Sequence, residues 1–237
     1  MTAVARAGRT AVRRVRSFPV KVREAGAAYT VYRSLQLIAP RVFRLDRFTV
    51  YTRFIGSASP PRVRAGVRWA TQDDFGQLAS LQPVRVVEDC LARGDRACVV
   101  VRDGELIAYI WCSFGAYEDI GLRFELAPDE VWLHDGKVAH AHRGRGHFPR
   151  LMRNAYADLA AEGITRTLLT IDDFNRNSRR VFSDSFPLGR FLVFRIGRLS
   201  IFRARRGREV RWGRFRTSFE VPRELYGPSG VAMEGNP

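Results

Sequence analysis

Apolar and polar positions follow two different periods along the middle of this chain, and together they predict an α/β fold. Short apolar runs predict strands near residues 66–70, 97–102, 105–115, 131–141, 165–171, 190–202 and 209–219. Apolar positions three or four residues apart predict helices near residues 71–81, 84–93, 147–162 and 176–185. Asp103-Gly104 between two strands indicates a tight hairpin, and Thr71 is placed to cap the first helix.

The segments that flank this pattern differ from it in composition. Residues 1–26 form an Arg-studded basic tail, and residues 27–64 form an apolar and basic extension that ends in a Ser/Pro linker. Residues 27–55 are too apolar for a free tail, so we expect them to pack on the core or on a partner. The central domain spans residues 65–203, and residues 204–237 form a C-terminal extension.

Length and composition narrow the class of protein. The 237 residues can bury one substantial core, since 46% of them are hydrophobic. The chain has no apolar run of about 18 residues that would span a membrane, and its start lacks the apolar segment of a secretory signal. The Arg-rich start also fits an organellar transit peptide. Cys90, Cys98 and Cys112 have no metal-ligand spacing and indicate a reducing compartment, so we expect a cytoplasmic protein.

The net charge of +16 is concentrated at the two ends of the chain. Residues 1–68 carry +13, residues 69–189 carry −4 and residues 190–237 carry +7. The predicted core is therefore slightly acidic, and the basic charge belongs to its flanks. A solvated tail is the favoured interpretation of the basic N-terminus, and contact with an anionic surface at the inner face of the membrane is the alternative. Nucleic acid is a disfavoured partner because no binding motif accompanies the charge.

A basic loop that contains two glycines gives the clearest chemical signal. Gly144 and Gly146 allow a positive φ and a close approach of the backbone to a ligand, while Arg143 and Arg145 add donors and positive charge. The helix predicted to start at His147 would place its unpaired amides and its positive dipole end behind this loop. The pattern predicts a site for an anion such as a pyrophosphate.

The order of these elements resembles that of the GNAT-type N-acyltransferase superfamily over roughly residues 66–200. In that family the fourth strand leads into an Arg/Gln-x-x-Gly-x-Gly/Ala loop that binds the pyrophosphate of acetyl-CoA, and residues 143–148 correspond to it. Phe148 stands where Gly or Ala is usual. The resemblance implies an α/β GNAT fold, a mixed central sheet of about six or seven strands flanked by helices, with basic N- and C-terminal extensions. It also implies acetyl-CoA or another acyl-CoA as cosubstrate, and no metal.

The resemblance further implies which residues bind the cosubstrate. These are Val138, Ala139, His140, Arg143, Gly144, Arg145, Gly146, His147, Phe148, Asn175 and Ser178. Asn175 and Ser178 match the family's Asn-x-x-Ser/Ala segment, for which an ordinary helix N-cap is the alternative. Seven positions after Asn175, Phe182 replaces the tyrosine that often protonates the thiolate in the family.

Three residues are candidates for the base that removes a proton from the amine: Glu130, His134 and Asp135. On an extended strand His134 and Asp135 project to opposite faces, so at most one of them would face the amine. We favour Asp135, for which a turn-capping role before Gly136 is the alternative.

The leading hypothesis is a cytoplasmic N-acyltransferase that moves an acetyl group from acetyl-CoA to the amine of a small molecule or an amino sugar. The alternative is a catalytically degenerate binding protein on the same fold, whose basic flanks bind anionic lipid or nucleic acid. A peptidyl-transfer enzyme that uses aminoacyl-tRNA is disfavoured by the single core, and a homodimer stays open. His140, His142 and His147 are close in sequence, but beside an Arg-Gly loop we expect them to line an anion site rather than bind a metal.

Overall fold

A computed structural model describes residues 43–56 and 66–227 of the chain. The predicted basic tail, the first part of the N-terminal extension, the Ser/Pro linker and the last ten residues lie outside the described residues. Within the two described ranges, no helix combines the length and the apolar character needed to cross a bilayer.

The described residues form twelve strands and four α-helices. The strands are β1 (Phe43–Phe54), β2 (Val67–Trp69), β3 (Arg96–Arg102), β4 (Glu105–Ser113), β5 (Ala116–Asp119), β6 (Leu122–Glu125), β7 (Glu130–Val138), β8 (Arg166–Asp172), β9 (Phe186–Ile196), β10 (Leu199–Arg206), β11 (Glu209–Phe215) and β12 (Phe219–Glu220). The helices are α1 (Phe75–Leu81), α2 (Val84–Ala92), α3 (His147–Ala161) and α4 (Arg176–Val181).

The larger of two compact units contains the described residues 50–56, 66–170, 184–189 and 217–227. Its main strands lie in the order β1-β8-β7-β4-β3-β2. Strands β7 and β8 are parallel, whereas the β2–β3, β3–β4 and β4–β7 pairs are antiparallel. The sheet is therefore mixed, as the family resemblance implies.

The β3–β4 hairpin at the centre of this sheet is covered on both faces. Asp103 and Gly104, with φ values of 52° and 80°, form the tight turn that the sequence predicts. One face shares a buried cluster with α1 and α2, made of Leu78, Val87, Cys90, Ala97, Val99, Leu106, Tyr109 and Trp111. Helix α3 packs against β2, β3 and β4, and the alternation of side chains leaves it the opposite face.

The predicted cap of the first helix is confirmed. Thr71 is the N-cap of the turn that leads into α1, and its N–H donates to the Asp74 carboxylate at 2.7 Å. The Arg68 guanidinium donates to both oxygens of the same carboxylate, at 2.6 and 2.8 Å. These hydrogen bonds from Arg68 outweigh the effect of burial and lower the pKa of Asp74 to about 2.

A small second sheet, with strand order β12-β6-β5, was not predicted from the sequence. Its β5–β6 hairpin turns at Ile120 and Gly121, which both have positive φ. Tyr117 and Phe124 from this sheet lie against Trp132 of β7, with ring centroids 4.8 and 4.6 Å away. All three rings are buried, so the small sheet covers this part of β7.

A buried ion-pair network joins β7 to β8 where their pairing begins. Glu130 accepts a hydrogen bond from Arg166 at 2.6 Å, and each of these two side chains is only 3% exposed. Further N–H groups of Arg166 donate to the Thr52 hydroxyl of β1 and to the Tyr226 carbonyl. Arg223 lies 2.6 Å from the second Glu130 oxygen. The Arg166 guanidinium of β8 thus connects its own strand with β1, with β7 and with the turn near the end of the described chain.

The smaller unit contains the described residues 43–49, 171–183 and 190–216, with strands in the order β11-β10-β9-β1. Phe48 of β1 stacks on Phe191 of β9, with ring centroids 5.3 Å apart. The predicted single strand over 190–202 is wrong, because β9 ends at Ile196 and the chain reverses into antiparallel β10. Gly197, with a φ of 55°, makes this reversal possible.

We expect Arg166→Met to lower the free energy of unfolding by about 3–5 kcal/mol, because it leaves the buried Glu130 carboxylate without its main partner. The double variant Arg166→Met/Glu130→Leu should lose less than the sum of the two single variants, since it removes both charges. Urea denaturation followed by circular dichroism measures all three variants. Simple additivity would contradict the coupling.

Candidate functional site

Strand β7 contains a β-bulge. Trp111 of β4 lies opposite His134, while Tyr109 lies opposite Lys137, so one residue of β4 faces two residues of β7. Asp135 is one of these two, and its φ is 49°. The expectation that His134 and Asp135 project to opposite faces is therefore wrong. The positive φ turns the Asp135 side chain back, so that its Oδ2 lies 3.2 Å from His134 Nδ1.

At the same point β7 parts from β8. Their parallel pairing ends at Leu133 and Leu169, although β7 continues to Val138. The Ala139 N–H donates to the Ile107 carbonyl of β4 at 2.8 Å, so the N–H of the preceding residue points away from β4. The Val138 N–H is thus directed toward the edge that β8 has left. An extended ligand can pair with a strand edge of this kind.

The chain leaves β7 earlier than the sequence predicts. The strand expected over 131–141 ends at Val138, and His140–His142 form a 3₁₀ turn. His140 is exposed, so it and His142 do not share a strand face as an extended segment would require. This turn leads directly into the basic loop.

The loop opens α3 with two glycines in the left-handed region. Gly144 and Gly146 have φ values of 74° and 76°, and Gly146 is the N-cap of the 15-residue helix. Arg143 and Arg145 are exposed, and Arg143 Nε donates to the Val138 carbonyl at 3.3 Å. The arrangement combines the N-terminus of α3, with the positive end of its dipole, and two guanidinium groups, which together suit a bound anion.

His147 in the first turn of α3 is buried, yet in the described part of the chain neither of its ring nitrogens has a hydrogen-bond partner. Burial lowers its pKa, and electrostatic interactions with Arg150 and the neighbouring His142 lower this pKa further. The His142 ring lies 6.0 Å away. A neutral imidazole with two unused ring nitrogens can both donate to and accept from a ligand, so His147 supports a polar ligand at this loop.

Phe148, the residue that departs from the family's loop pattern, fills a gap that Gly136 leaves at the bulge. A Cβ on Gly136 would lie 2.6 Å from Phe148 Cζ and 2.8 Å from Ile110 Cδ1. Such contacts are too close for any side chain at that position without movement of the ring. The Phe148 ring in the first turn of α3 therefore occupies the space that the absence of a side chain at Gly136 leaves in the bulge.

A chain of hydrogen bonds holds His134 in the interior. Its Nε2 lies 2.9 Å from Ser113 Oγ and 3.4 Å from Asp95 Oδ2, while its Nδ1 contacts Asp135. Asp95 is buried and is also paired with Arg93 at 2.7 Å. Sequence reasoning missed Asp95 and Ser113, because neither lies near His134 along the chain and neither belongs to a motif. Asp135 and Arg93 are the exposed members of this network, and of the two only Asp135 contacts His134.

The two buried titratable members of the network, His134 and Asp95, have shifted pKa values. Burial by itself lowers the pKa of His134, but hydrogen bonds to Asp135 and Asp95 outweigh it and raise the pKa above 6.5. Burial by itself raises the pKa of Asp95, but hydrogen bonds from His134 and Ser113 outweigh it and lower that pKa. The arrangement thus favours an imidazolium between two carboxylates.

Glu130, the third candidate base, is placed differently. Both of its oxygens accept from guanidinium groups in the network described above, and Oε2 also accepts the Ala127 N–H at 3.0 Å. Its side chain is buried. These contacts favour a structural role and leave no oxygen for an amine.

Among the described residues, one group of side chains is close enough to share a metal ion: Cys90, His134 and Asp135. Burial raises the pKa of the Cys90 thiol to about 12, so at neutral pH it is protonated and a poor ligand. Arg93 donates to Cys90 Sγ at 3.3 Å and adds positive charge there. These contacts favour a hydrogen-bonded network over a metal site.

Asn175 and Ser178 lie in the smaller unit, at the start of α4. Asn175 is exposed, and its Oδ1 accepts the Ser178 N–H at 3.0 Å, which is the contact of a helix N-cap. The capping contact uses the oxygen of the Asn175 amide. Phe182 is buried at the end of this helix.

The sequence profile of the Acetyltransferase (GNAT) family matches residues 65–186. No curated protein matches the chain. Similar solved structures include a GNAT-family protein from Novosphingobium aromaticivorans, which is 20% identical with a TM-score of 0.46. That match covers 66% of this chain and 62% of the other chain, so this protein spans less than two thirds of that relative.

Two further structures match over a shorter part of this chain. A ribosomal-protein-alanine N-acetyltransferase from Brucella melitensis is 21% identical over 49% of this chain and 88% of its own, with a TM-score of 0.39. The aminoglycoside N-acetyltransferase AAC(6')-Iy, solved with CoA, is 18% identical over 49% of this chain and 87% of its own, with a TM-score of 0.40. Because the family profile covers more than half of the sequence, this chain belongs to the GNAT family of acetyltransferases.

Proposed function

We propose that the protein transfers an acetyl group from acetyl-CoA to the amine of a small molecule or an amino sugar. The observation that carries the proposal is the loop with two positive-φ glycines at the start of α3, which follows the open edge of β7. The GNAT family uses acetyl-CoA, and the local geometry suits both ends of that cosubstrate. A longer acyl-CoA is the nearest alternative donor.

The residues of this chain fit acetyl-CoA at two places. The amides at the start of α3, with Arg143 and Arg145, suit a diphosphate. The Val138 N–H and the segment that continues through Ala139 and His140 suit an extended amide chain such as pantetheine. Bound there, the cosubstrate supplies an activated acyl group, and the chain's own residues orient it. Asn175 and Ser178 are proposed as further contacts by analogy with the family's motif.

For the base we propose Asp135, which is exposed at the bulge and so accessible to an amine. His134 Nδ1–H holds the Asp135 carboxylate, and Ser113 and Asp95 hold the other side of the imidazole. Asp135 would accept the proton that the attacking amine must lose. Phe182 has no proton to donate, so no role in thiolate protonation is assigned to it.

The proposed setting is the cytoplasm. Its support is that Cys90, Cys98 and Cys112 are free and buried, as suits a reducing compartment. A catalytically degenerate protein that binds acyl-CoA without turnover is the second candidate, and the absence of a hydroxyl at Phe182 favours it. The experiments below separate binding from turnover.

Isothermal titration calorimetry tests the cosubstrate site. We expect the wild-type protein to bind acetyl-CoA, and Gly146→Glu to weaken binding by about 2 kcal/mol, roughly 30-fold. The substitution adds a negative charge to an anion loop and a side chain at positive φ. The control is Gly94→Glu, because Gly94 also has a positive φ of 77° and open space around it but lies outside the loop. Failure of the wild type to bind any acyl-CoA would refute the proposed function.

Steady-state release of free CoA, measured with a panel of amines, tests the base. Asp135→Asn should lower kcat by roughly 100- to 10,000-fold, because the amine loses its proton acceptor. Its affinity for acetyl-CoA should stay unchanged. Asp103→Asn is the matched control, since Asp103 also has a positive φ but lies in an exposed turn. An unchanged kcat would exclude Asp135, and wild-type binding without turnover of any amine would favour the degenerate protein.

The pKa of His134 predicts a dependence of stability on pH. Because the folded protein holds this proton more tightly than the unfolded chain, the resulting stabilisation is full below pH 6.5 and is lost as the pH rises through the raised pKa. Urea denaturation at a series of pH values above 6.5 should show this decline. His134→Gln should remove it, and an identical slope in that variant would show that another group titrates.

A further inference from the structure

The smaller unit has a sheet face that the proposed chemistry does not use. Side chains of β9, β10 and β11 alternate between two faces. One face is buried and carries Phe191, Val193, Phe202, Ala204 and Phe215. We name the other the outer face. It consists of positions 190, 192, 194 and 196 of β9, positions 199, 201, 203 and 205 of β10, and positions 210, 212 and 214 of β11. The strand register places these positions side by side.

Large apolar side chains are exposed on the outer face. Trp212 is 67% exposed and Ile196 is 51% exposed. Three more aliphatic side chains are each more than a third exposed: Leu199, Ile201 and Val210. Contiguous exposed apolar groups of this kind mark an interaction surface. Aliphatic side chains around one tryptophan suit the interface of a membrane, whereas a single-stranded nucleic acid would need several exposed aromatic rings for stacking.

The charge on the outer face has one sign. It carries Arg190, Arg203, Arg205 and Arg214, and no position that defines it is Asp or Glu. The Arg203 guanidinium lies 5.6 Å from the centroid of the Trp212 ring, so cation and ring form one group. An occupant of this face must therefore be anionic and must also offer an apolar layer.

Two other occupants match this charge poorly. Residues 1–42 of the chain carry nine basic residues and one acidic residue, so they would bring like charge to the face. A second copy of the protein that used the same face would bring arginine against arginine. A bilayer with anionic lipid headgroups provides both the negative charge and the apolar layer.

We propose that the outer face binds the surface of a membrane that contains anionic phospholipid. Trp212 and its aliphatic neighbours enter the headgroup boundary, and the four arginines contact lipid phosphates. The residues of this surface are other than those of the basic N-terminal tail, which lies outside the described residues. The proposal does not depend on the proposed acetyl transfer.

Vesicle co-sedimentation of the full chain tests the proposal. We expect binding to phosphatidylcholine vesicles with about 30% phosphatidylglycerol and no binding to phosphatidylcholine alone. Arg190→Glu/Arg214→Glu should weaken binding by at least about 25-fold, since each arginine near an anionic surface contributes roughly fivefold. Arg85→Glu/Arg153→Glu is the matched control, because it changes the net charge equally at exposed sites on α2 and α3. It should bind within about twofold of the wild type.

Fluorescence locates the contact on the face itself. Tryptophan emission should shift to the blue on vesicle binding, because Trp212 passes from water into the headgroup boundary. Trp212→Phe should lose this shift but keep the binding, while Trp212→Ser should lose both. Acetyl-CoA calorimetry on the same variants reports whether each still folds, and circular dichroism does so even if no acyl-CoA binds.

Three results would overturn the proposal. Equal vesicle binding by wild type and Arg190→Glu/Arg214→Glu would assign the contact to the basic tail. Binding to single-stranded RNA without binding to vesicles would make the face a nucleic-acid surface. A dimer in solution that Arg190→Glu/Arg214→Glu dissociates would make it an interface between two copies.

Discussion

The buried contact between Glu130 and Arg166 fixes the junction on which the rest of the larger unit depends. Strands β7 and β8 pair over only the first four residues of each, so this parallel junction is short. A buried ion pair contributes little net stability compared with apolar packing, but it strongly penalises any register that separates the two charges. By fixing where the pairing begins, it also fixes where the strands part, one residue before His134.

Beyond that point, the end of β7 and the loop that follows it form two electrostatic environments of opposite sign. Around His134 the structure gathers carboxylates, which stabilise a positive imidazole. A few residues later, the loop at Arg143 and Arg145 gathers cations and helix amides, and the imidazole of His147 there is held neutral. The residues proposed for proton acceptance and for anion binding thus lie next to each other along the chain without sharing groups. The bulge at Asp135 is the boundary between them.

Features with a local cause were predictable from the sequence, and those with a tertiary cause were not. The Asp103-Gly104 turn, the Thr71 cap and the glycine loop before α3 follow from backbone preferences of a few residues. The bulge was missed because a positive φ at Asp135 is imposed by its pairing partners, and the contact of Asp95 with His134 is long-range. Strands β5 and β6 are only four residues each, too short to show a period. The β9–β10 turn had a signal, since Gly-Arg recurs at the next reversal.

The contact between Phe148 and Gly136 has a consequence for how this chain can change. The family's usual small residue at position 148 would leave a void of aromatic size above the bulge, while any larger residue at position 136 meets the existing ring. A substitution at position 148 alone would create a cavity, and a substitution at position 136 alone would create a steric clash. We therefore expect positions 136 and 148 to change together during evolution. A loop taken from a relative with a small residue at position 148 would leave the space above Gly136 unfilled in this chain.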